Sequence, residues 1–125
     1  MSTRLLLITN DLEMTTTIQE LLASHSLEIV VKNTLRRAAQ FLVQEDTPEV
    51  VLLDLSAHMS DGFDFLRKIR SIKRFAQLPI VVTVEDPDPD VIKDALQVGA
   101  NRYLTQSFIQ TNLLRTLRDM RILNR

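Results

Sequence analysis

The sequence of 125 residues has no cysteine and only two glycines. Without cysteine the chain forms neither a disulfide framework nor a thiolate metal site, and this absence suits a reducing cytoplasm, where we expect the protein to work. Gly62 and Gly99 are too few and too far apart for a Walker loop or a GxGxxG motif. The scarcity of glycine therefore argues against a nucleotide-binding enzyme.

The chain also lacks an excess of positive or negative charge. Lys and Arg total 15 against 16 Asp and Glu, which gives a formal net charge of −1. Such a chain has no global field that would recruit nucleic acid or a membrane surface. The longest apolar runs, residues 5–8 and 50–53, are far shorter than a membrane-spanning helix requires. We therefore expect neither nucleic acid nor a membrane as a partner.

Short apolar runs alternate with amphipathic segments along the whole chain, of which 45% is hydrophobic and 25% is charged. The runs predict strands at residues 5–8, 27–31, 50–53, 80–84 and 103–104. Apolar residues at helical spacing follow each run, and the third of these helices is expected to open at Gly62. Five β–α repeats predict one α/β domain over residues 1–125, built on a doubly wound parallel sheet. We expect no output domain within this sequence, whether it is a stand-alone protein or a piece of a longer one.

Polar residues follow the predicted strands. They are Thr9, Asn10 and Asp11 after the first strand, Asp54 after the third, Thr83 at the end of the fourth, and Thr105, Gln106 and Ser107 after the fifth. Ligands of doubly wound sheets bind at the carboxyl ends of the strands. The pattern predicts a polar site centred on Asp54, although Asp and Thr also cap helices and turns for purely structural reasons.

In order and spacing, these segments resemble the receiver domain of response regulators in two-component signalling. The resemblance covers nearly the whole chain and rests on residues 5–11, 48–54, 61–63, 78–83 and 95–104. It implies a flavodoxin-like, five-stranded sheet of order 2-1-3-4-5 with five helices, as in chemotaxis regulators. It also implies a signalling module of a phosphorelay rather than an enzyme.

The resemblance implies roles for three residues. Asp54 corresponds to the phosphoacceptor, which receives a phosphoryl group from a histidine kinase or a phosphotransfer protein. Thr83 corresponds to the switch hydroxyl, and Tyr103 to the switch aromatic, although Tyr103 is also compatible with a half-buried strand residue whose hydroxyl is in water. Helix four, strand five and helix five would then present the state to a downstream effector, or to a second copy of the chain in a homodimer.

The chain differs from the family pattern at three positions where the family has charged residues. The acidic pair of the family falls on Thr9 and Asn10, and its lysine falls on Gln106. Asp11 is one step further along an extended segment, so its side chain is expected to face the mouth of the site rather than its floor. A lost carboxylate about 4 Å from a metal costs roughly 1–4 kcal/mol, and a lost cationic stabiliser lowers a rate by about 10²–10³-fold. We expect a weak magnesium site at Asn10, Asp11 and Asp54, or none.

These changes favour an atypical receiver, or pseudo-receiver, that acts through protein–protein interaction. The alternative is a conventional receiver phosphorylated at Asp54, in which Asn10, Asp11 and water form an improvised metal site. A small flavodoxin-like enzyme or nucleotide binder is a remote third hypothesis, because the sequence shows no set of nucleophile, base and orienting group.

Other polar residues are interpreted without a chemical role. His58 has no second histidine nearby and is expected to be a solvated loop residue. The acidic run at residues 85–90 lacks the central glycine and terminal glutamate of an EF-hand loop. The last helix lacks stacking aromatics and a helix-turn-helix segment, so its basic residues are expected to face solvent or an acidic protein partner. These basic residues are Arg115, Arg118, Arg121 and Arg125.

Overall fold

A computed structural model describes residues 3–123, apart from the side chains of residues 57–59. Five strands alternate with five helices. The strands are β1 (Thr3–Ile8), β2 (Leu27–Lys32), β3 (Val50–Asp54), β4 (Ile80–Val84) and β5 (Arg102–Thr105). The helices are α1 (Leu12–Leu22), α2 (Leu35–Gln44), α3 (Leu55–Ser71), α4 (Pro89–Val98) and α5 (Ile109–Asp119). Short 3₁₀ helices lie at Lys73–Phe75 and Gln106–Phe108.

The five strands form one parallel sheet in the order β2-β1-β3-β4-β5. This confirms the doubly wound, flavodoxin-like sheet. Ile8 of β1 is in register with Leu53 of β3, and Asp54 lies opposite Thr83 of β4. The residues that follow β1, β3 and β4 therefore meet at one edge of the sheet, beside the point where the strand order reverses.

Helices cover both faces of the sheet. On one face, alternate strand residues such as Leu6 and Leu53 pack with α2, α3 and α4, and on the other, residues such as Leu7 and Leu52 pack with α1 and α5. Every residue of β3 and β4 is therefore buried, as an uninterrupted apolar run predicts for a central parallel strand. Full burial of each leucine or isoleucine contributes roughly 1.5–3 kcal/mol, so the central strands are held firmly in place.

The prediction that the third helix opens at Gly62 is wrong, because α3 begins at Leu55. Asp54 is the N-cap residue, and its carboxylate accepts a hydrogen bond from the backbone N–H of Ser56. Leu55 is fully buried, which fixes the first turn against the sheet. The backbone at His58 is consequently helical rather than a loop, and the side chain of His58 lies outside the described residues.

The apolar residues near the ends of α3 and α5 differ in their exposure to solvent. Ile72 directly follows α3 and is 41% exposed. Leu123, which follows α5, is buried in the core, and Leu114 of α5 and Ile122 pack partly buried against it. These three residues complete the core.

No helix within residues 3–123 has the length and apolar character needed to cross a bilayer.

Helix α4 has sharply defined ends. Asp88 caps its start by accepting a hydrogen bond from the N–H of Asp90, with Pro89 in the first turn. Gly99 ends it with a φ of +134°, a backbone conformation that L side chains rarely adopt. The guanidinium of Arg70 on α3 donates to the carbonyl of Gly99 at 2.8 and 3.0 Å and to Asn101 Oδ1 at 2.9 Å. Partial burial lowers the pKa of Arg70.

Helix α1 begins at a cap formed by Asp11. Its carboxylate accepts a hydrogen bond from the N–H of Met14 at 3.1 Å, and its backbone is extended, as is usual for an N-cap residue. Glu13 adds a second acidic residue in the first turn, where negative charge favours the helix dipole. The carboxylate of Asp11 thus stabilises α1.

The substitution Gly99→Ala is expected to lower the free energy of unfolding by about 1–3 kcal/mol. A Cβ atom at this position would lie 2.5 Å from Cγ of Arg70, and the positive φ adds backbone strain. Urea denaturation of the variant measures the loss. Gln97→Ala, on the exposed side of α4, is the control and is expected to change stability by less than about 0.5 kcal/mol. Equal stability of both variants would contradict the clash.

Replacing Asp11 by alanine is expected to lower the free energy of unfolding by about 0.5–2 kcal/mol, because α1 loses its cap. Asp11→Asn retains a capping oxygen and is expected to leave stability nearly unchanged. Chemical denaturation of both variants distinguishes a helix cap from a free acidic residue. A stable Asp11→Ala variant would show that the carboxylate is not needed by the helix.

Candidate functional site

The carboxylate of Asp54 is at the centre of the site and is only 2% exposed. Its Oδ2 atom accepts a hydrogen bond from Thr9 Oγ1 at 2.7 Å. Its Oδ1 atom accepts from the N–H of Ser56 at 3.1 Å, Nε2 of Gln106 at 3.3 Å and Oγ1 of Thr83 at 3.4 Å. All four donors are neutral, and no ion pair of the described side chains involves Asp54. The buried charge is therefore compensated by hydrogen bonds alone.

Thr9 holds its position through both backbone and side chain. It is 1% exposed, and its N–H extends the β1–β2 pairing by donating to the carbonyl of Lys32 at 3.1 Å. Its hydroxyl oxygen accepts from the N–H of Asp11 at 3.1 Å. Because a carboxylate can only accept hydrogen bonds, the hydroxyl of Thr9 is the donor in its contact with Asp54.

The two residues predicted as switches lie in different surroundings. Thr83 is fully buried at the end of β4, and its hydroxyl faces the carboxylate of Asp54 at the long distance of 3.4 Å. Tyr103 on β5 is 42% exposed and lines a surface groove beside α4. The structure thus brings Thr83 to Asp54 and leaves Tyr103 outside the site.

Gln106 reaches the site from the turn that follows β5. Its Nε2 atom donates to Asp54 Oδ1 at 3.3 Å and to Oγ of Ser56 at 3.2 Å. An amide at this position supplies hydrogen-bond donors without the positive charge that an ammonium group would bring. Gln106 therefore anchors the turn after β5 to the start of α3.

Asn10 and Asp11 lie at the exposed mouth of the site. Within the described residues, neither side chain forms a hydrogen bond with Asp54, and the carboxylate of Asp11 is turned to the amino end of α1. Asp11 borders a cavity of about 360 Å³ between α1 and the start of α5, which Gln106 and Gln110 also line. The carboxylate of Asp11 is thus engaged at the start of α1.

The residues at the site offer few ligands to a magnesium ion as they are arranged, so such an ion is possible there but weakly held. Mg²⁺ requires oxygen lone pairs in near-octahedral geometry. Thr9, Thr83 and Gln106 instead direct hydrogen atoms towards Asp54, which is the only carboxylate in this group. Among the described side chains, no cluster of three or more His, Cys, Asp or Glu residues could hold a metal ion.

Ser56 is the site residue that the sequence analysis missed. Its N–H binds Asp54 Oδ1, and its hydroxyl accepts from Gln106. The available signal was the helix-capping pattern of an aspartate at the end of an apolar run. The signal was overlooked because the third helix was expected to begin eight residues later than Asp54, at Gly62.

The comparisons with known proteins agree with this geometry. The response regulator receiver domain model matches residues 5–118. The chemotaxis protein CheY homolog of Campylobacter jejuni is 27% identical over 112 residues, which cover 78% of this chain and 85% of that protein. The transcriptional regulatory protein KdpE of Staphylococcus aureus is 37% identical over 70 residues, which cover 56% of this chain and 29% of KdpE.

A solved structure shows the same fold along almost the whole chain. The phosphorylated cyanobacterial phytochrome response regulator RcpA superposes with a TM-score of 0.79 at 25% identity, and the match covers 96% of this chain and 91% of RcpA. The family match, the strand order and the position of Asp54 at the end of β3 lead to one assignment. The chain belongs to the response regulator receiver domain family of two-component signalling.

Proposed function

We propose that this chain is an atypical receiver that acts mainly by binding other proteins, and that Asp54 is phosphorylated slowly, if at all. In this proposal, residues 1–125 form a single receiver domain that works in the cytoplasm. The observation that supports it is the buried Asp54 carboxylate, which has four neutral hydrogen-bond donors and no cationic partner among the described residues.

The chemistry of phosphoryl transfer explains why the missing charge matters. A carboxylate oxygen of Asp54 would attack phosphorus in line with the leaving group, while negative charge is spread over the phosphoryl oxygens. Thr83 and Gln106 can donate hydrogen bonds to these oxygens but carry no charge to neutralise them. Because the same groups would assist hydrolysis of an acyl phosphate, both its formation and its loss are expected to be slow.

Magnesium binding is expected to be weak in this proposal. When bound, the ion supplies positive charge to the phosphoryl oxygens. Asp54 and the exposed Asn10 are the residues that would hold it, because the carboxylate of Asp11 is engaged in the cap of α1. Only one charged ligand is then available.

Conventional phosphorylation of Asp54 is the second candidate function. Two observations favour it: Asp54 occupies the end of the central strand, and RcpA, which is 25% identical to this chain, is phosphorylated in its solved structure. The two candidates differ in the rate at which Asp54 gains a phosphoryl group.

The surface formed by α4, β5 and α5, named here the output face, is the proposed site of partner binding. Leu96 of α4 and Tyr103 of β5 are each exposed by about two fifths, and both line an apolar groove of about 590 Å³. Arg115 and Arg118 lie exposed on α5. An apolar groove with Lys93 in its lining, together with the exposed arginines of α5, suits an acidic protein surface, on a kinase, a phosphotransfer protein, an effector or a second copy of the chain.

Acetyl phosphate with Mg²⁺ is expected to phosphorylate the unmodified protein slowly. The triple variant Thr9→Asp, Asn10→Asp, Gln106→Lys restores the charges of the family pattern and is expected to react at least about 10²-fold faster. Intact-mass spectrometry against time measures the gain of one phosphoryl group.

The control for this prediction is Asp54→Asn introduced into the triple variant, which should abolish the mass gain and so identify the acceptor. Rapid, stoichiometric phosphorylation of Asp54 in the unmodified protein would refute the proposal of an atypical receiver.

Leu96→Asp is expected to weaken partner binding at least about tenfold, because it places a charge in the apolar groove of the output face. Biolayer interferometry against purified histidine kinases and phosphotransfer proteins of the source organism, and against the chain itself, measures the effect. Val43→Asp on α2 is the matched control, since Val43 is a 67% exposed apolar residue outside the output face. Equal loss of binding in both variants, or in neither, would refute this assignment of the binding surface.

A further inference from the structure

We infer that the hydroxyl group of Thr9 blocks the metal-binding side of Asp54, so that adding negative charge nearby is not enough to create a magnesium site. This inference rests on the proposed function, and it assigns the weakness of the metal site to occlusion as well as to missing charge. It concerns Oδ2 of Asp54, whose hydrogen-bond donor is Thr9.

The contact between Thr9 and Asp54 is the shortest hydrogen bond of the site. Its length of 2.7 Å is typical of a strong O–H···O bond, whereas the other three donors lie 3.1–3.4 Å from Oδ1 of Asp54. A cation that approaches Oδ2 from the side of Thr9 needs the lone pair that this hydroxyl uses. The metal and the hydroxyl therefore compete for the same atom.

The hydroxyl of Thr9 is held in the orientation in which it donates to Asp54, which favours the hydroxyl over a metal. Its oxygen accepts from the N–H of Asp11, its side chain is almost fully buried, and its backbone pairs with Lys32. A β-branched side chain also has few accessible rotamers. A metal on this side would have to displace a buried, oriented donor, because rotation of the Thr9 side chain would break its hydrogen bonds to both Asp54 and Asp11.

The N–H that orients this hydroxyl belongs to Asp11, the residue that caps α1. One continuous set of hydrogen bonds thus joins Asp54, Thr9, Asp11 and the first turn of α1. This set directs the Asp11 carboxylate to Met14 while its N–H holds Thr9 against Asp54. Asp11 consequently helps to close the site instead of supplying a metal ligand.

Three variants separate occlusion from missing charge. Asn10→Asp adds a carboxylate and retains the block, Asn10→Asp/Thr9→Ala adds it and removes the block, and Asn10→Asp/Thr9→Ser adds it and keeps a hydroxyl. Magnesium affinity is measured by NMR titration of the backbone amides of Asp54 and Ser56. We expect Thr9→Ala in the Asn10→Asp background to raise the affinity at least about tenfold, the scale of a hydrogen bond to a charged group. The serine variant is expected to bind like Asn10→Asp alone.

Equal affinities of Asn10→Asp and Asn10→Asp/Thr9→Ala would overturn the inference and leave the proposed function intact. Tight magnesium binding and rapid phosphorylation of the unmodified protein would instead refute the proposed function. Thermal melts verify that each variant is folded. Thr9→Val, which has nearly the volume of threonine but no hydroxyl, replaces Thr9→Ala if the alanine variant does not fold. A smaller gain in affinity is then expected, because its second methyl group still fills the space beside Oδ2, and no gain would overturn the inference.

Discussion

The hydrogen bond between Thr9 and Asp54 joins the ends of two neighbouring central strands at the most deeply buried charge of the site. A carboxylate at such a position is costly unless hydrogen bonds compensate it. Here a threonine hydroxyl, a second threonine, a glutamine amide and a backbone N–H share that role. The same four groups tie β1, β4, the start of α3 and the turn after β5 to one side chain. The site is therefore a structural junction as well as a candidate acceptor.

The strands that carry the site are packed on both faces by buried apolar residues. A further polar connection lies at the opposite end of α3. Buried apolar residues cover both faces of β3 and β4, which positions Asp54 and Thr83 side by side. At the far end of α3, Arg70 links that helix to Gly99 and Asn101, and Asn101 Oδ1 also accepts from the N–H of Ile80. The carboxyl end of α4 and the start of β5 are thereby attached to α3. These hydrogen bonds thus hold α4 and β5, two elements of the output face, against α3 and β4.

In the proposed function, this receiver transmits information differently from one whose acceptor is surrounded by charged groups. Among the described residues, no cationic side chain forms a hydrogen bond or an ion pair with Asp54, so transfer to Asp54 and hydrolysis would both lack their main electrostatic assistance. The proposed output face does not depend on that chemistry, because it is formed by an apolar groove and exposed arginines.

The sequence by itself determined the alternation of strands and helices, the position of Asp54 at the end of a buried strand, and the absence of charge at Thr9, Asn10 and Gln106. These features are local, because they depend on hydrophobic periodicity and on residue identity. The start of α3 was predicted at the wrong residue, because a glycine is a stronger sign of a helix boundary than an aspartate that both ends a strand and caps a helix. Only the tertiary structure decided that Thr9 donates to Asp54 while Asp11 caps α1. Such pairings depend on the register of strands 45 residues apart in sequence, which no local pattern records.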